Sequence, residues 1–169
     1  ICEAFAMQKW VPMAELGTTM TSYPSNIKGM IITPMEIVSV TGGDVLHGLK
    51  LGDPGYVGFG EAYFSTVNTG VIKAWKRHRK MTMNIVVPFG CVRFVIYNDR
   101  ETDPTQHSFQ QVVLSRDNYF RLTVPPMVWM GFEGLGVNEN ILLNICDIKH
   151  LPDEVDRLTI NEINFDWKV

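Results

Sequence analysis

Between Gly70 and Gly90 the chain reads GVIKAWKRHRKMTMNIVVPFG, a stretch dense in groups that move protons or hold anions. Lys73, Lys76, Arg77, Arg79, Lys80 and Arg93 make up six of the fifteen Lys and Arg residues, while acids gather in the C-terminal third. With a net charge of -3 the chain has no general attraction to nucleic acid or to an anionic membrane, so the basic cluster points to a local anionic ligand. Alternate residues of a strand share a face, which would set Lys76, His78, Lys80, Thr82 and Asn84 on one side of a regular strand. A lysine inside a barrel loses affinity for its proton through burial and through neighbouring cations. Lys76 or His78 is therefore a candidate general base, and the residues do not decide between them. Lys73 or Lys80 would help stabilise the negative charge left when a proton is removed.

Other chemistries find less support. A mononuclear metal centre takes about three or four His, carboxylate or thiolate ligands. Lys76, Met83 and Met130 are poor substitutes, and His47 and His150 stand alone in their segments. No metal and no other cofactor are expected. No G-x-S-x-G turn is present, and neither a GxGxxG nor a GxxxxGK[ST] loop occurs to cradle phosphates. Any pyrophosphate would be met by Lys73, Arg93 and one of Arg79 or Lys80 through charge-assisted hydrogen bonds. Trp75 and Trp129 flank the candidate positions and could stack on a base or sugar, though each also suits the core. Cys2, Cys91 and Cys146 are an odd number without C-x-x-C spacing, which favours reduced thiols and a cytoplasmic setting. No apolar run reaches the ~20 residues of a membrane helix, so no membrane partner is expected.

The elements that must position these groups are strands. From Ile27 onward, short runs of Val, Ile, Phe and Tyr alternate with Gly, Pro, Asn and Asp, and no helical period is sustained. Strands are expected at 30–32, 36–40, 44–49, 61–68, 71–77, 83–87, 92–97, 110–114, 120–124, 128–132 and 140–147. Turn chemistry at Pro88-Phe89-Gly90, Asn98–Pro104 and Pro125-Pro126 supplies corners. The expected architecture is all-β, one β-barrel over 27–169 preceded by an N-terminal arm over 1–26.

Gly70, Lys76, His78, Met83 and Gly90 also keep the spacing of the cupin metal motif, with Lys76 and Met83 in place of a His and the Glu. The segments IKGMIITPMEIVSVTGGDVLHGLK, NTGVIKAWKRH, VPFGCVRFVIYNDR, LSRDNYFRLTVPPMVWMGF and ILLNICDIKHLPDEVDRL, in this order, resemble the dTDP-4-dehydrorhamnose 3,5-epimerase family of sugar-nucleotide cupins. The resemblance covers about residues 27–167.

It implies a cupin jelly roll, a nucleotide-sugar ligand, proton abstraction next to a keto group, and a homodimer. By the same resemblance Lys76 stands at the family's catalytic His and Lys73 at an Arg three residues earlier. Met130 stands at a site His, Leu143 at the catalytic Tyr, and Gly42 at a phosphate-binding Arg. Glu61 and Glu154 fall on positions where the family places polar site residues. Two functions follow as expectations: a metal-free epimerase or isomerase of 4-keto-6-deoxy-type nucleotide sugars, or a cupin that binds such a ligand or a glycan without turning it over.

Overall fold

The computed structural model describes Tyr23 and residues 25–168. Most of the expected N-terminal arm lies outside the described residues. Tyr23 bridges to Ile32 and sets its ring edge-on to Phe120 at 4.9 Å.

Twelve strands follow: β1 (Ile31–Pro34), β2 (Ile37–Val40), β3 (Gly43–Leu46), β4 (Glu61–Val67), β5 (Ile72–His78), β6 (Met83–Phe89), β7 (Cys91–Tyr97), β8 (Phe109–Ser115), β9 (Phe120–Val124), β10 (Trp129–Gly134), β11 (Asn140–Cys146) and β12 (Val155–Arg157). Ten of them form two five-stranded antiparallel sheets, in the orders β1-β9-β6-β11-β4 and β12-β5-β10-β7-β8, and β2 and β3 make a separate ribbon. All eleven expected strands are present, with ends shifted by a few residues. The expected all-β jelly roll is the fold.

The two-residue period of the sequence assigns the faces. In β4, Glu61, Tyr63, Ser65 and Val67 turn inward while Ala62, Phe64 and Thr66 are exposed. In β11, Asn140, Leu142, Asn144 and Cys146 turn inward. The inner faces meet in a core that includes Ile32, Ile85, Phe94, Ile96, Leu114 and Leu122. Each such buried side chain contributes about 1.5–3 kcal/mol. A second apolar cluster lies on the outer face of the second sheet, where Trp75, Val95 and Trp129 are covered by Leu158, Ile163, Phe165 and Trp167. Among the described residues no helix is long and apolar enough to cross a membrane.

The strand carrying the basic cluster does not run on regularly. β5 ends at His78 and β6 begins at Met83. Across the turn the amides of Lys80 and Met81 donate to the Glu154 carboxylate and that of Thr82 to Asp147. Side chains thus take bonds that a strand ladder would take, and the alternation resets. Lys80 is exposed in the turn, and Asn84 faces the outer side of the first sheet.

There Asn84 and Arg121 hold the segment before β4. Asn84 donates to the Gly55 carbonyl, and fully buried Arg121 donates to Gly48, Pro54 and Asp53. The strand missed by the sequence reading is β12, only three residues between Pro152 and Thr159, which pairs with β5 and sets Arg157 opposite Lys76.

Replacing Arg121 leaves the Gly48 and Pro54 carbonyls without their charged donor. Arg121→Ala is expected to lose at least about 2 kcal/mol, read as a lower midpoint in urea unfolding.

Candidate active site

A cavity of about 430 Å³ opens between the two sheets. One wall is made by β4, β11 and β6, which contribute Tyr63, Ser65, Leu142, Asn144 and Met83. The facing wall comes from β5, β10 and the end of β12, with Lys73, Trp75, Lys76, Met130, Phe132 and Arg157. The lining mixes apolar side chains with six polar or charged ones, Tyr63, Ser65, Lys73, Lys76, Asn144 and Arg157, in a concavity of the size of a small-molecule site.

Lys76 is the central ionisable group. Its ladder partners in its own sheet are Met130 on one side and Arg157 on the other. Burial, and after it the charge of Arg157, lowers its pKa from the ordinary lysine value of 10.5, against weaker upward pulls that include Glu154 and Glu61. No hydrogen bond or ion pair to a described residue ties down its ammonium. Desolvation and a neighbouring cation are the two devices that turn a lysine into a base or nucleophile near neutral pH.

His78 lies two residues on, 96% buried, behind Lys76 rather than in the cavity lining. Its Nδ1 meets Glu154 Oε2 at 2.5 Å, and its buried Nε2 has no hydrogen-bond partner. Burial lowers its pKa below 6.5 in spite of Glu154, with the positive charge of Lys76 adding to the shift. Glu154 is itself buried, and its Oε1 accepts the Lys80 and Met81 amides at 2.7 and 2.8 Å. The carboxylate is held ionised by these donors, and the ring is a neutral imidazole that donates from Nδ1.

The remaining sequence candidates disperse. Glu61 faces inward on β4, close enough to Lys76 for its charge to act there. Lys73 borders the cavity but donates its ammonium to the Thr66 carbonyl at 2.7 Å. Arg93, expected at the barrel mouth, is buried beneath the C-terminal segment, paired with Glu133 and donating to the Trp167 carbonyl. Trp129 lies on the same outer face, its indole N–H on Asp99 at 2.8 Å and the Arg77 guanidinium over its ring. Trp75 belongs to that outer cluster and also borders the cavity, its indole N–H donating to the Ile160 carbonyl. Asn84 and Lys80 are apart from the cavity, for the reason given by the reset alternation. Among the described residues no group of three or more His, Cys, Asp and Glu is arranged to hold a metal ion. Cys146 is a free, buried thiol, whereas Cys91 is disulfide-bonded, in contrast to the expectation of reduced thiols throughout.

No family model matches the chain. A solved dTDP sugar isomerase of Desulfovibrio desulfuricans G20 is 39% identical, covers 87% of this chain and 96% of its own, and superposes with a TM-score of 0.84. The chain belongs to the dTDP-4-dehydrorhamnose 3,5-epimerase-like branch of the cupins. The probable low-salt glycan biosynthesis epimerase Agl13 of Haloferax volcanii is 33% identical over 84 residues, 49% of this chain and 54% of that protein. The spore coat polysaccharide biosynthesis protein SpsL of Bacillus subtilis is 29% identical over 113 residues, 64% of this chain and 75% of that protein. This chain therefore spans about half the length of the Haloferax relative it matches.

Lys76 and Met130, matched by the resemblance to two family histidines, are ladder partners and both line the cavity. Leu143, matched by it to the family's tyrosine, alternates away from the cavity that Leu142 and Asn144 line. Gly42, matched by it to a phosphate-binding arginine, is in the β2–β3 turn with φ 89°.

Four polar cavity groups escaped the sequence reading as site residues: Tyr63, Ser65, Asn144 and Arg157. Strict alternation in β4 and β11 carried the signal for the first three. Nothing local marked Arg157, because β12 exists only through its pairing with β5.

The His78 environment fixes a pH dependence. A histidine whose folded pKa lies below its unfolded value binds more protons when unfolded, so stability is present above about pH 6.5 and drains away as pH falls toward the lower folded pKa. In urea unfolding the His78 contribution is expected to decline by up to about 1.4 kcal/mol per pH unit below pH 6.5, a slope that His78→Gln removes.

Proposed function

We propose that this protein is a nucleotide-sugar epimerase or isomerase that acts on a 4-keto-6-deoxy-type sugar, with Lys76 as the base that removes the proton next to the keto group. The carrying observation is the half-buried Lys76 amine, with no ion pair to a described residue, lining a partly open cavity and beside Arg157. The lowered pKa raises the fraction of neutral amine available near neutral pH, and the neighbouring guanidinium is placed to stabilise the enolate oxygen that forms. Lys73 and Arg157 at the cavity border supply the positive charge for a diphosphate. His78 is better suited to hold the β5 end in place than to meet substrate, since its Nδ1 is engaged by Glu154 and the ring is outside the cavity lining. The relatives named for glycan and spore coat polysaccharide biosynthesis support a role in supplying a sugar for a surface polymer.

We also propose a homodimer. β4 is an edge strand, and Phe64 on its outer face, with Val57 and Phe59 before it, is more than 60% exposed. A second copy of the chain would cover this apolar margin.

Incubation of the protein with dTDP-4-keto-6-deoxyglucose in deuterium oxide is expected to wash deuterium into the carbon next to the keto group. Lys76→Met should lower the exchange rate by about 10²–10⁴-fold while leaving dTDP affinity within a few-fold. Binding without any exchange by the wild-type protein would instead favour the non-catalytic cupin. The acid limb of the pH–rate profile is expected to lie below pH 10.5 and to vanish with Lys76. By light scattering the protein is expected to be a dimer, and Phe64→Glu to shift it toward monomer.

A further inference from the structure

Epimerisation moves a hydrogen from one face of a carbon to the other, so removal alone is half of the reaction. Lys76 lies on β5 in one sheet, and the sugar would fill the space between that sheet and the wall of β4, β11 and β6. A proton returned from the side of Lys76 restores the starting configuration. Inversion calls for a proton held on the facing wall.

We propose that Tyr63 on β4 is that donor, delivering its phenolic proton to the enolate carbon on the face opposite Lys76. The assignment rests on the epimerase reading and names the group that completes it. Among the polar groups that the facing wall contributes to the cavity lining, Tyr63, Ser65 and Asn144, the choice follows from chemistry. The Asn144 amide is not an acid in the accessible range, and its NH₂ is already spent on Ser65 Oγ at 3.2 Å and the Tyr63 carbonyl at 3.4 Å. The Ser65 alcohol is a weaker acid than a phenol and accepts that amide. Tyr63 remains.

Its surroundings suit a donor that keeps its proton until the enolate forms. The hydroxyl is close enough to Cys146, the inward residue of β11 that pairs with Glu61, to feel its thiol. Burial first, then Cys146 and Glu61, pushes the phenol up to about 12. The Cys146 thiol is likewise pushed up to about 11, so it stays a thiol and does not compete as an anion.

The step balances. The Lys76 lone pair takes the proton, and the C–H electrons become the enolate. The enolate then takes the Tyr63 proton on its other face, and the carbonyl reforms. Ammonium and phenolate return to amine and phenol by proton exchange with solvent, and no oxidant or other reactant is consumed. Leu143, where the resemblance would place the family's tyrosine, faces away from the cavity, so the donor here comes from a different strand.

The test uses Tyr63→Phe and the wild-type protein with dTDP-4-keto-6-deoxyglucose in deuterium oxide, following exchange and inversion separately. Tyr63→Phe is expected to keep Lys76-dependent exchange with retention of configuration, at a rate within a few-fold of wild type, while the inverted product falls by about 10²-fold or more. In the wild type the first inverted product should carry solvent deuterium, because the proton returned is not the one removed. Inversion by Tyr63→Phe at the wild-type rate would overturn the assignment, as would loss of exchange together with inversion. Substrate hydrogen carried over into the wild-type product would overturn it too, and that measurement decides even if the variant does not fold. A wild-type protein that binds dTDP but neither exchanges nor inverts would overturn the epimerase reading itself, an outcome distinct from failure of Tyr63 alone.

Discussion

The Glu154 carboxylate is the constraint on which the site depends. It is 5% exposed, and its two oxygens take three donors: the Lys80 amide, the Met81 amide and His78 Nδ1. A buried charge costs several kcal/mol unless hydrogen bonds replace its lost water, and these donors do so. Because two of them are backbone amides of the turn, the carboxylate also dictates where β5 stops. Because Glu154 immediately precedes β12, the same contact brings Val155, Asp156 and Arg157 into register with His78, Arg77 and Lys76. The Arg77 and Arg79 ion pairs to Asp156 hold the same register and so keep Arg157 beside Lys76.

Once the register is set, the electrostatics of the cavity follow. Lys76 is half-buried in the cavity wall with a guanidinium as its ladder neighbour, and burial and that charge both favour the neutral amine. Its acidic neighbours are less effective: Glu154 is already satisfied by three donors, and Glu61 faces inward from the other sheet. On the outside of β5, Arg77 makes the opposite choice. It is paired with Asp99 and Asp156 and stacked on Trp129, so its charge is spent on holding the strand to β12 and to the end of β7. Neighbouring cations of one basic run thus divide by parity into a reactive group inside and a structural one outside.

Much of this was legible in the sequence. The short Val- and Ile-rich runs fixed the number and order of strands, and the spacing around Gly70 and His78 pointed to Lys76, which does line the cavity. What could not be read locally was wherever a distant side chain overrides the period. Glu154 ends β5 from seventy-odd residues away, so Lys80 and Asn84 were put on the wrong face. Arg93 and Trp129 looked like binding residues because they are charged or aromatic near the site. Their faces are covered by the C-terminal segment through Trp167 and Ile163, a contact without a sequence-local signature. Tyr63 was not among the sequence candidates, because an aromatic residue on a strand gives no sign of whether the wall it joins borders a core or a cavity.

The replacement of the family's residues is not a simple loss of polarity. If Lys76 and Met130 stand where the resemblance puts two histidines, an amine and a thioether are ladder partners in place of two imidazoles. A thioether offers the amine no strong hydrogen-bond partner, and a partly buried amine is displaced toward its neutral form. A histidine needs no such help, since its pKa already lies near neutrality. A lysine does, and partial burial beside Met130 and Arg157 supplies it. A partly buried amine beside a second cation costs stability. The proposed role of Lys76 as a base would give that cost a return in reactivity.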